Sequence, residues 1–239
     1  MKTKMETIGP VNGTAARPKP TDGGADLIGR ELRIQAPALK TAMFTIVGTA
    51  PLVVHAFGAK AKKQMRDKQV AGSTAKKGKN REPRDFDQDY EEAKYVSREG
   101  WHGVNASGFR NGLVGICRVQ DFKMTLAKLS IFVEADGFDR KDGTPLVRIT
   151  KGEPHKVEHM ARNDNGGADF RVRPMWDEGW EIELRIRWDA RQFTLEDVAN
   201  LLATMGAQGG IGEGRASSKM SCGMGWGFFR IKTQKEVEG

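Results

Sequence analysis

Cysteine and long hydrophobic runs are scarce in this 239-residue sequence. The two cysteines, Cys117 and Cys222, lie far apart in sequence, which favours reduced thiols in a cytoplasmic protein over a structural disulfide. No run of about 18 apolar residues is present, so we expect no transmembrane helix. The N-terminal segment MKTKMETIGPVNGTAARPKPTDGG lacks an apolar core, so we expect no secretory signal.

Histidine is also scarce, and its placement gives little support to catalysis or metal binding. His155 and His159 have i,i+4 spacing, but no glutamate follows His155 as a zinc-protease helix requires, so we expect no metal and no cofactor. The sequence contains no G-x-S-x-G motif, and Cys117 falls on an apolar helix stripe. His55, just after the first predicted strand, is a weak catalytic candidate for which a structural role is favoured.

Positive charge, by contrast, is in excess. The formal net charge is +8 and the isoelectric point about 9.5, which indicates a polyanionic partner, and we expect nucleic acid rather than a membrane. Residues 60–84 carry seven lysines and three arginines against two acids, which favours phosphate contact over a solvated charged loop. The candidate nucleic-acid-binding residues of this segment are Lys60, Lys62, Lys63, Arg66, Lys76, Lys77, Lys79 and Arg81.

Apolar periodicity is clearest in the C-terminal third. Residues 180–188 alternate strictly between apolar and charged side chains, which predicts a strand with one face on a core. Thr194 and Asp197 have the spacing of a capping box at the start of a helix, and Gly206 is predicted to be its C′ glycine. Further strands are predicted at residues 43–47, 129–134 and 226–231, and a further helix at about 107–118.

This order of elements is strand, helix, strand, repeated twice. It predicts an α+β, ferredoxin-like (RRM-like) βαβ-βαβ core with an antiparallel sheet, whereas a doubly wound parallel fold would need more alternating elements. Residues 1–38 are predicted to be a disordered or partner-dependent arm. The domain then covers residues 39–233, with a basic insertion at 58–100, and residues 234–239 form a tail.

A glycine-rich loop precedes the last predicted strand. Glycine allows a close approach of backbone N–H groups to phosphate, and Arg215 and Lys219 add charge, so Gly210, Gly212 and Gly214 are candidate backbone contacts. The loop follows a helix and precedes a strand, which is the wrong order for a mononucleotide or dinucleotide phosphate loop. A tight connection without a ligand is the alternative.

The same stretch carries a family resemblance. The segment TLEDVANLLATMGAQGGIGEGRASSKMSCGMGWGFFRI resembles the end of RAMP superfamily domains, RRM-related proteins that include CRISPR effector backbone subunits and CRISPR RNA endonucleases. The segments FTIVGTAPLVVHAFGAKAKKQM and VNASGFRNGLVGICR are similar to their first strand and first helix. The resemblance, closest to stand-alone bacteriophage versions, implies binding of RNA or single-stranded nucleic acid, often by side-by-side polymerisation. The matching loop residues are Gly210, Gly212, Gly214, Arg215, Gly223, Gly225, Gly227 and Phe228.

A second basic patch lies in the segment RNDNGGADFRVRPMW. Arg162, Arg171 and Arg173 flank its glycine pair, and aromatic side chains beside such cations are candidate base contacts. The aromatic candidates in polar, loop-like surroundings are Tyr90, Tyr95, Trp101, Phe170 and Trp176.

Three functions remain open at this level. The favoured one is non-enzymatic binding of RNA or single-stranded DNA along the phosphate backbone, by a homo-oligomer or a multi-subunit complex. An endoribonuclease of the CRISPR RNA-processing type that uses His55 is the enzymatic alternative. A self-assembling phage structural protein is the third.

Overall fold

A computed structural model of the chain describes residues 35–56, 63, 66–67, 70, 85–162, 168–218 and 223–238. These residues form an α+β domain with antiparallel strand pairs, which confirms the predicted class. The strands are β1 (Leu39–Gly48), β2 (Leu52–Val53), β3 (Gly103–Asn105), β4 (Ile131–Glu134), β5 (Gly137–Phe138), β6 (Pro145–Lys151), β7 (His155–Arg162), β8 (Ala168–Trp176), β9 (Glu181–Asp189) and β10 (Phe229–Ile231). The α-helices are α1 (Phe86–Ala93), α2 (Ala106–Ile116), α3 (Met124–Ser130), α4 (Leu195–Thr204) and α5 (Gln234–Glu238).

The strands form two sheets. In the larger sheet the order is β10-β1-β9-β6-β3, with β4 also paired to β9 and β5 to β6. One edge of β9 pairs with β1 along its whole length. The other edge pairs with β4 at residues 185–188 and with β6 at residues 181–182. The smaller sheet has the order β2-β8-β7. Since β2 follows β1 after three residues, the smaller sheet begins at one end of the larger one.

The alternation in β9 determines which face of the larger sheet is buried. The charged side chains of β9 lie on the opposite face, where Glu183 and Arg185 are exposed. Helices α2 and α4 supply Phe109 and Val198 to the same core as the inward side chains of β9, so both helices cover one face. Those inward side chains, all at most 2% exposed as predicted, are Trp180, Ile182, Leu184, Ile186 and Trp188.

Helix α4 begins as its sequence predicts and ends differently. The side chains and backbones of Thr194 and Asp197 form the reciprocal capping box. The prediction of Gly206 as the C′ glycine is wrong, because α4 continues into a π-helical turn, Met205–Gly209, and the first positive φ comes at Gly210. Gly206 is instead required by packing, since a Cβ atom there would lie 2.3 Å from the carbonyl oxygen of Phe229.

Two other predicted boundaries are shifted. Residues 129 and 130 belong to α3, which buries Ala127 in the core, so the strand predicted from residue 129 starts at Ile131. The last strand starts at Phe229 rather than residue 226, because Gly225 and Gly227 have positive φ angles of 73° that extended backbone does not allow. The tail predicted at residues 234–239 contains α5, whose Glu236 forms an ion pair with Arg230.

Several predictions lie outside the described residues. These are the N-terminal arm up to residue 34 and the cations Lys60, Lys62, Lys76, Lys77, Lys79, Arg81 and Lys219. Within the predicted basic insertion, Lys63 and Arg66 are helical and exposed, and residues 86–93 form α1. Helix α1 packs against β8, with the rings of Phe86 and Phe170 meeting edge to face at 5.2 Å.

Candidate nucleic-acid interface

Helix α2 and residues 210–218 of the glycine-rich loop, which runs from residue 210 to residue 228, enclose a cleft with a volume of about 990 Å³, which we call the loop cleft. On the α2 side its wall is formed by small and amide side chains, among them Gly108 and Asn111. On the other side lie the π-helical turn and the loop itself, from Gln208 to Ser218. His55 and Tyr95 also line it. A volume near the upper end of ordinary ligand pockets leaves room for part of a polymer strand.

Backbone hydrogen bonds within the glycine-rich loop and to neighbouring segments hold the loop in place. The N–H groups of Gly210, Ile211 and Glu213 donate to the carbonyl oxygens of Met205, Gly227 and Val53. These three amides are therefore not available to phosphate. The amides of Gly212, Gly214 and Arg215 form no hydrogen bond within the described part of the chain.

Close packing requires glycine at two positions of this loop, 212 and 227. Gly212 has φ of 82°, and a Cβ atom there would lie 2.3 Å from the carbonyl oxygen of Val53. At Gly227, with φ of 73°, a Cβ atom would lie 1.8 Å from the carbonyl oxygen of Ile211. No other residue type fits either position without moving the backbone. The glycine pattern thus has a structural cause whether or not the loop binds a ligand.

Glu213 is the centre of a buried ion cluster at the floor of the cleft. Its side chain is 8% exposed and accepts from Arg171 Nη1 and Arg173 Nε, each at 2.7 Å. His55 Nδ1 lies 3.5 Å from Glu213 Oε2, and His159 Nε2 lies 3.7 Å from Oε1. The cluster joins the glycine-rich loop to β7, β8 and the residues after β2.

The environment of the cluster shifts the pKa values of Glu213 and His55. Burial alone would raise the pKa of Glu213, but contacts with His159, Arg173 and Arg171 outweigh it and hold that pKa well below its usual range. Burial, and then the charge of Arg173, lower the pKa of His55 to about 4. At neutral pH, therefore, Glu213 is ionised and His55 is neutral.

The predicted cations have different places in this arrangement. Arg215 lines the loop cleft and donates to the carbonyl oxygen of Gly212 at 2.8 Å. Arg171 and Glu213 also line the cleft, whereas Arg173 does not line it and is buried against Glu213. Arg162 ends β7, and Lys63 and Arg66 are not among the residues that line the cleft. The structure thus brings Arg171 and Arg215 together with Gly210, Gly212 and His55.

The aromatic candidates mostly have structural roles. The sequence predicts polar, loop-like surroundings for Trp176, and this is wrong, because Trp176 ends β8 and is fully buried. Trp101 packs over Gly103 and Gly137, where an added Cβ would lie within 3 Å of its ring. Tyr95 lines the loop cleft.

Sequence reasoning missed most of the cleft lining, including the polar residues Asn111, Arg118, Gln208 and Glu213. The glycines at positions 108, 112 and 115 were the available signal for α2, because i,i+4 and i,i+3 spacing places them on one helix face. Nothing local marks Glu213, whose arginine partners lie about forty residues earlier in the chain.

In the ranges given above, no helix is long and apolar enough to cross a membrane. The same residues contain no group of three or more histidine, cysteine or acidic side chains placed to hold a metal ion. Comparison of the chain with protein-family models and with curated proteins gives no match.

Proposed function

We propose that the protein binds RNA or single-stranded DNA along the phosphate backbone, without catalysis, and that the loop cleft is the site. The observation that carries the proposal is the charge of the cleft wall. Arg118, Arg171 and Arg215 line it, and Glu213 is the only acid among its described lining residues. Because Glu213 is also paired with Arg173 behind the wall, the cleft presents net positive charge to a strand.

The fold also supports the binding of RNA or single-stranded DNA. We infer that β1, α2, β4, β9, α4 and β10 form a ferredoxin-like core. In such a core the strand order is fourth, first, third, second, and the observed order β10-β1-β9-β4 agrees with it. Together with the glycine-rich loop before β10, this favours a RAMP-like protein. Side-by-side oligomers on a strand are part of the proposal.

Charge removal in the cleft should weaken binding in a salt-dependent way. We expect Arg118→Ala/Arg215→Ala to lower the affinity for a single-stranded oligonucleotide about tenfold at low salt. The slope of log K against log salt should fall by about 0.7 for each phosphate that the variant no longer neutralises. Fluorescence anisotropy across a salt series measures both quantities.

Arg148→Ala is the matched control, since Arg148 is exposed on β6 and does not line the cleft. It should leave affinity and slope unchanged. Absence of binding at low salt, or equal affinity for a neutral polymer, would contradict the proposal.

The endoribonuclease alternative depends on His55, which does line the cleft. A pKa of about 4 leaves it neutral at pH 7, so it is a weak base and is not in the imidazolium form that a general acid requires. We expect a labelled hairpin RNA to remain intact with both the wild-type protein and His55→Ala. If the wild-type protein cleaves the RNA and His55→Ala does not, the endoribonuclease alternative is favoured over non-enzymatic binding.

A further inference from the structure

Two amide side chains of the loop cleft have no hydrogen-bond partner among the described residues. They are Asn111, which lies on α2, and Gln208, which lies in the π-helical turn. Both are exposed and line the cleft. An amide presents a donor and an acceptor side by side, which is the pattern that reads the edge of a base.

The two amides stand on either side of one seam. A Cβ atom on Gly112 would lie 2.3 Å from Met205 Cε, and one on Gly209 would lie 3.6 Å from Ile116 Cδ1. Helix α2 and the turn are therefore in contact along this stretch. Asn111 and Gln208 each precede one of these glycines directly, so both border the seam.

Next to the seam, the surface of α2 at Gly115 has no side chain packed against it. A Cβ atom on Gly115 would have nothing within 4 Å, and Gly115 lies one turn after Asn111 on the cleft wall. A flat ring can approach the helix backbone there. Arg118 is exposed nearby on the same wall, and guanidinium planes stack on unpaired bases.

The cationic part of the cleft is adjacent. The N–H of Ser217 donates to the carbonyl oxygen of Gly209, so the chain that carries Arg215 returns to the turn that carries Gln208. A strand with its phosphate at Arg215 would thus have a base within reach of the amides.

We propose that this end of the cleft takes one unstacked base of the bound strand, with Asn111 and Gln208 reading its edge. We choose adenine as the base, because asparagine and glutamine side chains pair in bidentate fashion with its N6 donor and N7 acceptor. The proposal rests on the proposed function and adds base recognition to it.

The test compares oligonucleotides of equal length made of adenine, cytosine, uracil or abasic units at one salt concentration, by fluorescence anisotropy. The wild type should bind the adenine strand roughly tenfold more tightly than the abasic strand. Asn111→Ala/Gln208→Ala should lose this preference and keep the affinity for the abasic strand. Comparing the two proteins on the same strand cancels the self-stacking of adenine.

The variant Gly115→Leu tests whether the base binds in the open space at Gly115. Because the position is open and helical, leucine should not disturb folding, but it should fill the base site and abolish the preference for adenine. Ala203→Leu, on the exposed side of α4 and outside the cleft, adds a similar apolar surface and should keep the preference.

Equal affinity of the wild type for adenine and abasic strands would overturn base recognition while leaving backbone binding intact. An unchanged preference in Gly115→Leu would overturn the assigned place. Tightest binding of another base would overturn the choice of adenine. Failure to bind any strand would instead remove the proposed function.

Discussion

Replacing Glu213 with alanine is expected to lower the free energy of unfolding by about 3–5 kcal/mol. The change leaves Arg171 and Arg173 facing each other without the carboxylate that accepts from both at 2.7 Å. Arg173 is 7% exposed, so water cannot replace that partner. Urea unfolding followed by tryptophan fluorescence measures the loss.

Glu183→Ala is the control for the loss of an acid. Glu183 is exposed on β9 and has no ion pair among the described residues, so its removal should change stability by less than about 0.5 kcal/mol. A Glu213→Ala protein as stable as this control would contradict the role given to the cluster.

The cluster should also make the protein acid-sensitive. Since the folded-state pKa of Glu213 is lowered, its contribution is complete above the unfolded value near 4.5 and is lost as the pH falls below that value. The wild type should therefore lose stability on acidification more steeply than Glu213→Gln. Parallel stability curves for the two proteins below pH 4.5 would show that Glu213 titrates normally.

Replacing Gly227 with alanine is expected to cost about 2–5 kcal/mol of stability. The positive φ accounts for about 1–2 kcal/mol, and the clash of the new Cβ with the carbonyl of Ile211, 1.8 Å away, accounts for the rest. The N–H of Gly227 also donates to Pro51 at 2.7 Å, so the backbone cannot move aside freely. Thermal unfolding measures the change.

Gly179→Ala separates the two causes. Gly179 has φ of 93° but no atom within 4 Å of an added Cβ, so its variant should lose only the conformational part. Equal losses at the two positions would show that the clash with Ile211 costs nothing.

Local sequence patterns were sufficient for the strand β9 and for the start of helix α4. The alternation in residues 180–188 determines both the strand β9 and its buried face, because side chains on a strand point to opposite sides in turn. The capping box at Thr194 marks the start of α4 for an equally local reason. Neither inference needs to know what lies elsewhere in the chain.

The features that sequence reasoning missed depend on distant partners. Gly206 suggested a helix end, but its actual constraint is the backbone of Phe229. The sequence around Glu213 shows no partner for its carboxylate, whereas the fold places Arg171 and Arg173 of β8 next to it. The same holds for the loop glycines, whose pattern suggested a ligand although close packing against Val53 and Ile211 also requires them.

The position of β1 has a consequence for how the chain reaches this structure. Its neighbours in the sheet are β9 and β10, which both lie more than a hundred residues later in the chain. The chain loses the entropy of closing these long loops before the strand pairings can stabilise it, so folding should be slow for a domain of this size. The loop cleft, which needs β10 and the loop before it, should be among the last features to form during refolding.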